Sequence, residues 1–281
     1  MMLIEKVLIG TDYSAPAEQL YDCLSELKKQ GLKRVILIHV IDIQSAGGNA
    51  AELQVFNEKK LTEKKHELEK YGLEVITKAP IGFPPYEITM VAKEENASLI
   101  LVGSHGKGII KNIFIGSTTF DLLRTAKTPV LIEKYQDVGA GNCKPYCTIK
   151  FNKVLIPTDF SDASLAMITQ LKGTKGMEEV IFATVIEKSK NTDELESKKA
   201  EFAEKLAILK QEFADAGYKT NSLLKEGNAA NAILQIAEEE QVTLIALAKR
   251  GQGRIAELLL GSVAEAVAKQ SKAPVLLFPS R

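Results

Sequence analysis

The sequence contains no tryptophan and only three cysteines and three histidines among its 281 residues. Three cysteines cannot provide the paired framework of a small disulfide-stabilised secreted domain, so that class is excluded. An excess of charge is absent too, because 36 basic residues balance 36 acidic residues and the formal net charge is +0. Nucleic-acid-binding proteins commonly carry a basic excess. We therefore expect no nucleic acid partner.

Long hydrophobic runs are absent as well. The longest apolar runs span about five to seven residues, whereas a membrane-spanning helix needs about 20. The first residues, MMLIEK, lack the longer apolar region of a signal peptide. We expect a cytoplasmic protein without a membrane partner.

What the sequence does contain is an internal repeat. Residues 6–14 read KVLIGTDYS and residues 153–161 read KVLIPTDFS, and KTPVL at 127–131 returns as KAPVL at 272–276. A chain of this length can hold two ordinary domains. We predict domain 1 over residues 1–134 and domain 2 over residues 151–281. Residues 135–150 contain glycine and proline and show no period, which is typical of a linker.

Within each copy, short apolar runs alternate with amphipathic segments. In the first copy the runs predict strands at residues 7–10, 35–40, 73–78, 99–102 and 130–133, with helices between them. This β-α-β-α-β-α-β-α-β order predicts an α/β fold in which helices cover both faces of a parallel sheet. We expect two tandem doubly wound five-stranded parallel-sheet domains with strand order 3-2-1-4-5.

The most informative motif follows the fourth predicted strand. Gly103, Gly106 and Gly116 precede Ser117 and Thr118, which open a helical pattern. Glycines with φ > 0 let the backbone approach a bulky anion, and the N–H groups of a helix start favour phosphate. The motif therefore predicts a phosphate-binding loop. The alternative is that these glycines serve only the turn.

A carboxylate is expected on the other side of the same crevice. Asp12 directly follows the first strand, and ligands of doubly wound sheets bind at the carboxyl ends of the strands. A carboxylate repels phosphate but accepts hydrogen bonds from hydroxyls and amines, so Asp12 belongs at the sugar or base end of a nucleotide. The alternative is that Asp12 only satisfies backbone donors of a turn.

The spacing G-x-x-G, nine residues, then G-S resembles that of nucleotide-binding universal stress proteins, and each half is similar to one such domain. The fold implied is Rossmann-like, of the adenine nucleotide alpha hydrolase type. The resemblance implies a bound ATP or AMP, with or without Mg²⁺. It places the nucleoside at Asp12, adenine at the backbone of Val40 and the phosphates at the glycine loop. The implied nucleotide-binding residues are Gly10, Thr11, Asp12, Val40, Val102, Gly103, Gly106, Gly116, Ser117 and Thr118.

The second copy departs from the motif at Ala248, which replaces the first glycine. A left-handed backbone at an alanine costs roughly 1 to 2 kcal/mol. We therefore expect the first copy to be the better site. The corresponding residues of the weaker second site are Pro157, Thr158, Asp159, Val185, Ala248, Gly251, Gly261 and Ser262.

Several other residues invite a functional interpretation, but a simpler one is favoured for each. His105 lies in the glycine loop, where a solvated histidine is favoured over a phosphate contact or a proton-transfer role. His39 falls in a buried strand pattern and is interpreted as a hydrogen-bonded core residue. The spacing of Cys143 and Cys147 differs from a redox C-x-x-C motif, so an exposed reducible loop is expected. The lysines at residues 58–70 alternate with glutamates, as on a solvated helix.

Three functional classes remain. The first is a nucleotide-binding regulatory protein whose occupancy alters a contact with an unknown protein partner or with another copy. The second is a scaffold that needs no nucleotide, and the third is a slow ATP hydrolase or adenylyl-transfer enzyme. No Walker lysine motif or nucleophile-base pair accompanies the loop, so no catalytic residue and no metal ligand is assigned. The resemblance also implies that the two halves pair through their last strands as an intramolecular pseudo-dimer, and it leaves a homodimer open.

Overall fold

The computed structural model describes residues 3–104, 115–139, 142–187, 192–251 and 260–279. The chain divides into two compact units, Met1–Thr148 and Ile149–Arg281. Each unit carries one copy of the repeat.

The first unit alternates strands and helices. Its strands are β1 (Lys6–Gly10), β2 (Arg34–Ile38), β3 (Ile41–Asp42), β4 (Glu74–Lys78), β5 (Ile81–Gly82), β6 (Leu99–Gly103), β7 (Val130–Glu133), β8 (Tyr135–Gly139) and β9 (Asn142–Pro145). Its helices are α1 (Ala15–Gln19), α2 (Cys23–Lys29), α3 (Ile43–Ala46), α4 (Ala50–Glu69), α5 (Pro84–Glu94) and α6 (Ser117–Thr125). Short 3₁₀ turns at Leu20–Asp22 and Gly47–Asn49 lead into α2 and α4.

The main sheet of the first unit is parallel. Its strands lie in the order β4, β2, β1, β6, β7, with β1 at the centre. Val7, Leu8 and Ile9 of β1 are fully buried because helices cover both faces of the sheet. Counting only the five main strands, β1 and the fourth strand, β6, are neighbours. The loops that follow β1 and β6 therefore leave the same edge of the sheet side by side.

The second unit repeats this arrangement. Its strands β10 (Lys153–Pro157), β11 (Glu179–Ile186), β12 (Lys219–Glu226), β13 (Leu244–Ala248) and β14 (Val275–Phe278) lie in the order β12, β11, β10, β13, β14, all parallel. Its helices are α7 (Asp162–Leu171), α8 (Thr192–Asp215), α9 (Ala229–Glu239) and α10 (Ser262–Gln270). The prediction of two tandem α/β domains with parallel sheets is confirmed.

The segment predicted as a linker contains regular structure. Strands β8 and β9 pair antiparallel as a hairpin. The hairpin packs on α1, and the hydroxyl of Tyr135 donates to the carbonyl oxygen of Pro16 at 2.6 Å. Its strands carry no run of apolar residues, so the sequence gives no strand period there. Cys143 consequently lies in a strand rather than a loop, and Cys147 is half-buried, so the expectation of an exposed cysteine loop is wrong.

Glu133, the last residue of β7, and Lys134, which follows it, are both buried. The Glu133 side chain is fully buried, and its Oε2 accepts a hydrogen bond from the thiol of Cys23 at 3.0 Å. Lys134 is only 4% exposed. Burial lowers the pKa of the Lys134 ammonium from 10.5 to about 8.

The lowered pKa of Lys134 predicts a pH dependence of stability. Between about pH 8 and 10.5 the unfolded chain binds more protons than the folded chain, so the free energy of unfolding rises with pH across that window. We expect the free energy of unfolding of Lys134→Met at pH 7, measured by urea denaturation, to exceed that of the wild type by on the order of 3 kcal/mol. We also expect the variant to lose this rise with pH. Lys127→Met, which removes an exposed lysine, is the control. An unchanged pH slope in Lys134→Met contradicts the prediction.

Candidate functional site

A cavity of about 930 Å³ opens at the carboxyl ends of β1, β2 and β6. All the residues predicted for the first site that the structure describes line it: Gly10, Thr11, Asp12, Val40, Val102, Gly103, Gly116, Ser117 and Thr118. Gly106 and His105 lie outside the described residues. The predicted residues come from four separate segments of the chain, and the strand order brings them together.

The turn after β1 fixes the position of Asp12. Asp12 Oδ1 accepts the N–H of Ser14 at 3.0 Å, and the hydroxyl oxygen of Thr11 accepts the N–H of Tyr13 at 3.1 Å. Tyr13 adopts a left-handed backbone with φ 59°, which is strained for a residue with a bulky side chain. The two interpretations of Asp12 are therefore compatible, because its side chain accepts a hydrogen bond from the turn and also lines the cavity.

The start of α6 presents open hydrogen-bond donors to the cavity. Phe120 makes the first backbone bond of the helix, to the carbonyl of Gly116 at 2.9 Å. Within the described part of the chain, the N–H groups of Ser117, Thr118 and Thr119 have no acceptor, and no acidic side chain lies in this turn. Open donors and the positive end of the helix dipole together favour an anion.

The glycines beside this helix act differently from the expectation. Gly103 and Gly116 do not have positive φ, since Gly103 ends β6 in extended backbone and Gly116 has φ −71°. The N–H of Gly116 donates to the carbonyl of Ser104 at 2.7 Å, and the N–H of Ser104 donates to Glu133 at 2.9 Å. These bonds close the base of the loop. The N–H of Gly116 is thus committed to the protein rather than to a ligand.

Val40 also lines the cavity and has an open backbone. The N–H groups of its neighbours His39 and Ile41 donate to Lys78 and Pro80 at 3.1 and 2.9 Å. The N–H and carbonyl of Val40 make no hydrogen bond to the described residues. An open donor and acceptor on one residue can pair with the edge of a nucleobase.

His39 is hydrogen-bonded as predicted but is not a core residue. It is half-buried, lines the cavity and stacks on the Tyr13 ring with the centroids 4.6 Å apart. Its Nδ1 lies 2.9 Å from the carbonyl oxygen of Thr11. Because a carbonyl only accepts, Nδ1 carries the hydrogen in this bond.

Sequence reasoning missed the contribution of α4. Leu53, Phe56, Asn57 and Lys60 of this helix line the first cavity. The hydroxyl of Tyr13 donates to the carbonyl of Asn57 at 3.4 Å, which connects the β1 turn to α4. A signal was present, because Leu53 and Phe56 interrupt a largely charged helix. His66 on the same helix is exposed, as predicted.

The second unit has a smaller cavity, of about 330 Å³, at the equivalent place. All the residues predicted for the second site line it: Pro157, Thr158, Asp159, Val185, Ala248, Gly251, Gly261 and Ser262. Ala248 does not have positive φ, because it ends β13 in extended backbone. The expected strain penalty at Ala248 is therefore wrong.

Two further features bear on ligand binding in the second cavity. A Cβ placed on Gly251 would overlap Asp159 Oδ2, so the carboxylate lies directly against that glycine. The other oxygen, Oδ1, accepts the hydroxyl and the N–H of Ser161 at 2.6 and 3.1 Å. In α10 the counterpart of Thr118 is Val263, and Glu265 adds a carboxylate to the first turn. Both changes make the second helix start less favourable for an anion.

Two features are absent from the described residues. None of the helices in those ranges is long and apolar enough to cross a membrane. Nor do those ranges contain three His, Cys, Asp or Glu side chains grouped so that they could hold a metal ion.

The fold and the cavities define a class: tandem Rossmann-like α/β domains, each with a cavity at the carboxyl ends of its central strands. The sequence model of the universal stress protein family matches residues 4–134 and again residues 150–279. The chain therefore belongs to the universal stress protein family, with two domains in tandem.

The chain is similar to individual universal stress proteins. A universal stress protein of Methanocaldococcus jannaschii is 33% identical over 156 residues, which cover 47% of this chain and 96% of that protein. The crystal structure of a universal stress protein from Archaeoglobus fulgidus is 25% identical, covers 98% of both chains and superposes with a TM-score of 0.75. A universal stress protein crystallised in complex with cAMP is 25% identical over 46% of this chain and 97% of its own, with a TM-score of 0.36.

Proposed function

We propose that the protein is an adenine-nucleotide-binding regulatory protein of the stress response, with ATP or AMP held mainly in the first cavity. The observation that carries the proposal is the set of open N–H groups at Ser117, Thr118 and Thr119, which share one cavity with Asp12 and the open backbone of Val40. Phosphate, ribose and base each meet groups of suitable chemistry there.

The three groups divide the nucleotide between them. The start of α6 binds the phosphates through its donors and its dipole. Asp12 accepts a hydrogen bond from a ribose hydroxyl, which a carboxylate can do without repelling the phosphates at the far end. The N–H and carbonyl of Val40 pair with the edge of adenine. Mg²⁺, where present, comes with the phosphates of ATP, because it binds phosphate oxygens and few protein ligands.

A nucleotide bound in the first cavity then alters contacts that the protein makes with a partner or a second copy. The cavity wall includes α3 and α4, whose exposed side chains Ile43 and Val55 are 57% and 69% exposed. A ligand that orders this wall changes the surface offered to a protein partner or to a second copy of the chain. The pairing of the two halves as a pseudo-dimer, and of two chains as a homodimer, remain predictions.

The direct test is mass spectrometry of the nucleotide released from purified, undialysed protein, followed by calorimetric titration with ATP, ADP, AMP and cAMP. We expect an adenine nucleotide in the preparation and one dominant binding event per chain. Protein that is purified empty and shows no thermal shift in excess ATP favours the nucleotide-independent scaffold. Two equal binding events contradict the preference for the first cavity.

A further inference from the structure

Among the described residues, the wall that α4 contributes to the first cavity has no counterpart in the second. Phe56 and Lys60 of α4 line the first cavity, whereas no described residue of α8 lines the second. The cavity volumes differ in the same sense, about 930 against about 330 Å³. The first cavity therefore includes a region beside α4 that the second cavity lacks among the described residues.

The side chains of this region are aromatic and cationic. Phe56 is 54% exposed although it lines a cavity. The Lys60 Nζ lies 4.8 Å from the centroid of the Tyr13 ring and 4.9 Å from that of the Phe56 ring. An ammonium over aromatic faces is held there by cation–π attraction.

Lys60 differs from the next lysine along the same face of α4. Lys64 pairs with Glu18 at 2.9 Å and Glu67 at 2.7 Å. Among the residues that the structure describes, Lys60 has no carboxylate partner within ion-pair distance. A lysine held over two rings and paired with no carboxylate retains its capacity to bind a ligand.

We propose that Phe56 and Lys60, supported by Tyr13, form a base-binding wall that stacks on the purine ring of the nucleotide. The inference rests on the proposed function and deepens it. Val40 binds the edge of the base, and the base-binding wall covers a face. Bases stack favourably on aromatic side chains, and a cation is attracted to the π face of a base as it is to Tyr13.

In the second unit the same residue types pack against one another and away from the cavity. Phe160, the counterpart of Tyr13, stacks on Phe202 with the centroids 5.6 Å apart and the planes at 11°. Lys205 lies over both rings and pairs with Glu201 at 2.5 Å. Its rings cover each other, its lysine is neutralised, and none of the three lines the second cavity. Phe202 and Lys205 therefore supply matched control positions.

The test uses calorimetric titration of the full chain with ATP and, separately, with inorganic tripolyphosphate. Phe56→Ala is expected to weaken ATP binding about tenfold and Lys60→Met severalfold, as loss of one stacked base predicts. Neither variant changes tripolyphosphate binding, because that probe has no base. Phe202→Ala and Lys205→Met leave ATP binding in the first cavity unchanged. Thermal unfolding verifies that the variants fold, which is expected because Phe56 and Lys60 are both exposed.

The outcomes separate the two proposals. ATP affinities within twofold of the wild type in both variants overturn the base-binding wall and leave the proposed function standing. An equal loss of ATP and tripolyphosphate binding in Lys60→Met makes Lys60 a phosphate ligand and also overturns it. A wild-type chain that binds no adenine nucleotide overturns the proposed function and this inference together.

Discussion

Thr118→Glu is expected to weaken ATP binding about a hundredfold while leaving the fold intact. The new carboxylate lies in the first turn of α6, beside the open N–H groups of Ser117 and Thr119. Two like charges about 4 Å apart near a protein surface repel by on the order of 4 kcal/mol, which solvent reduces at an exposed position. A remaining penalty of about 3 kcal/mol corresponds to roughly a hundredfold in affinity.

The same substitution does not harm the helix. Thr118 is exposed, and a glutamate near a helix start interacts favourably with the dipole. Thermal unfolding should therefore show a melting temperature equal to or above that of the wild type while calorimetry shows the loss of ATP binding. Thr118→Gln is the neutral control and is expected to keep most of the affinity. Full ATP affinity in Thr118→Glu means that the phosphates do not bind at α6.

Asp159→Ala is expected to have the opposite kind of effect, a gain of nucleotide binding in the second unit. In the wild type the Asp159 carboxylate lies against Gly251 and restricts the smaller cavity. Removing it vacates the space beside Gly251, which belongs to the glycine motif that predicts phosphate binding. Calorimetry of the variant should show a second, weaker binding event per chain.

The equivalent substitution in the first unit supplies the control. Asp12→Ala removes the group proposed to accept the ribose hydroxyl, and we expect about a tenfold loss of affinity there, the size of one charged hydrogen bond. One chemical change thus has opposite expected results in the two copies. A single binding event in Asp159→Ala, or a gain in Asp12→Ala, contradicts this account.

Much of the fold could be predicted because its signals are local. Buried parallel strands appear as short apolar runs, and the repeat of KVLI-x-TD-x-S marks the same strand and turn twice. The hairpin β8–β9 was not predicted because its strands show no alternation of apolar and polar residues. This polar hairpin is stabilised by its packing on α1. The hydrogen bond from Tyr135 to Pro16 joins residues far apart in the sequence, so local patterns do not reveal it.

Cavity-lining residues could be predicted where a motif or the topology indicates them, but not where only packing places them beside the cavity. The strand-end residues Asp12 and Gly103 follow from topology, because parallel strands end at one edge, whereas Val40 is indicated only by the resemblance to the family. Phe56 and Lys60 lie on a helix whose composition is typical of a solvated surface, and only its placement over the crevice makes them wall residues. Ala248 shows the converse error, since a motif position was assigned left-handed backbone that the strand does not adopt.

The turn after β1 has a thermodynamic consequence for whatever enters the first cavity. The hydrogen bonds from Tyr13 to Thr11 and from Ser14 to Asp12, with the strained backbone at Tyr13, hold the carboxylate in one orientation. Because folding has already ordered that side chain, ligand binding loses no further conformational entropy there. Association should accordingly be fast and need no rearrangement at this turn, and affinity differences among related nucleotides should appear chiefly in their dissociation rates.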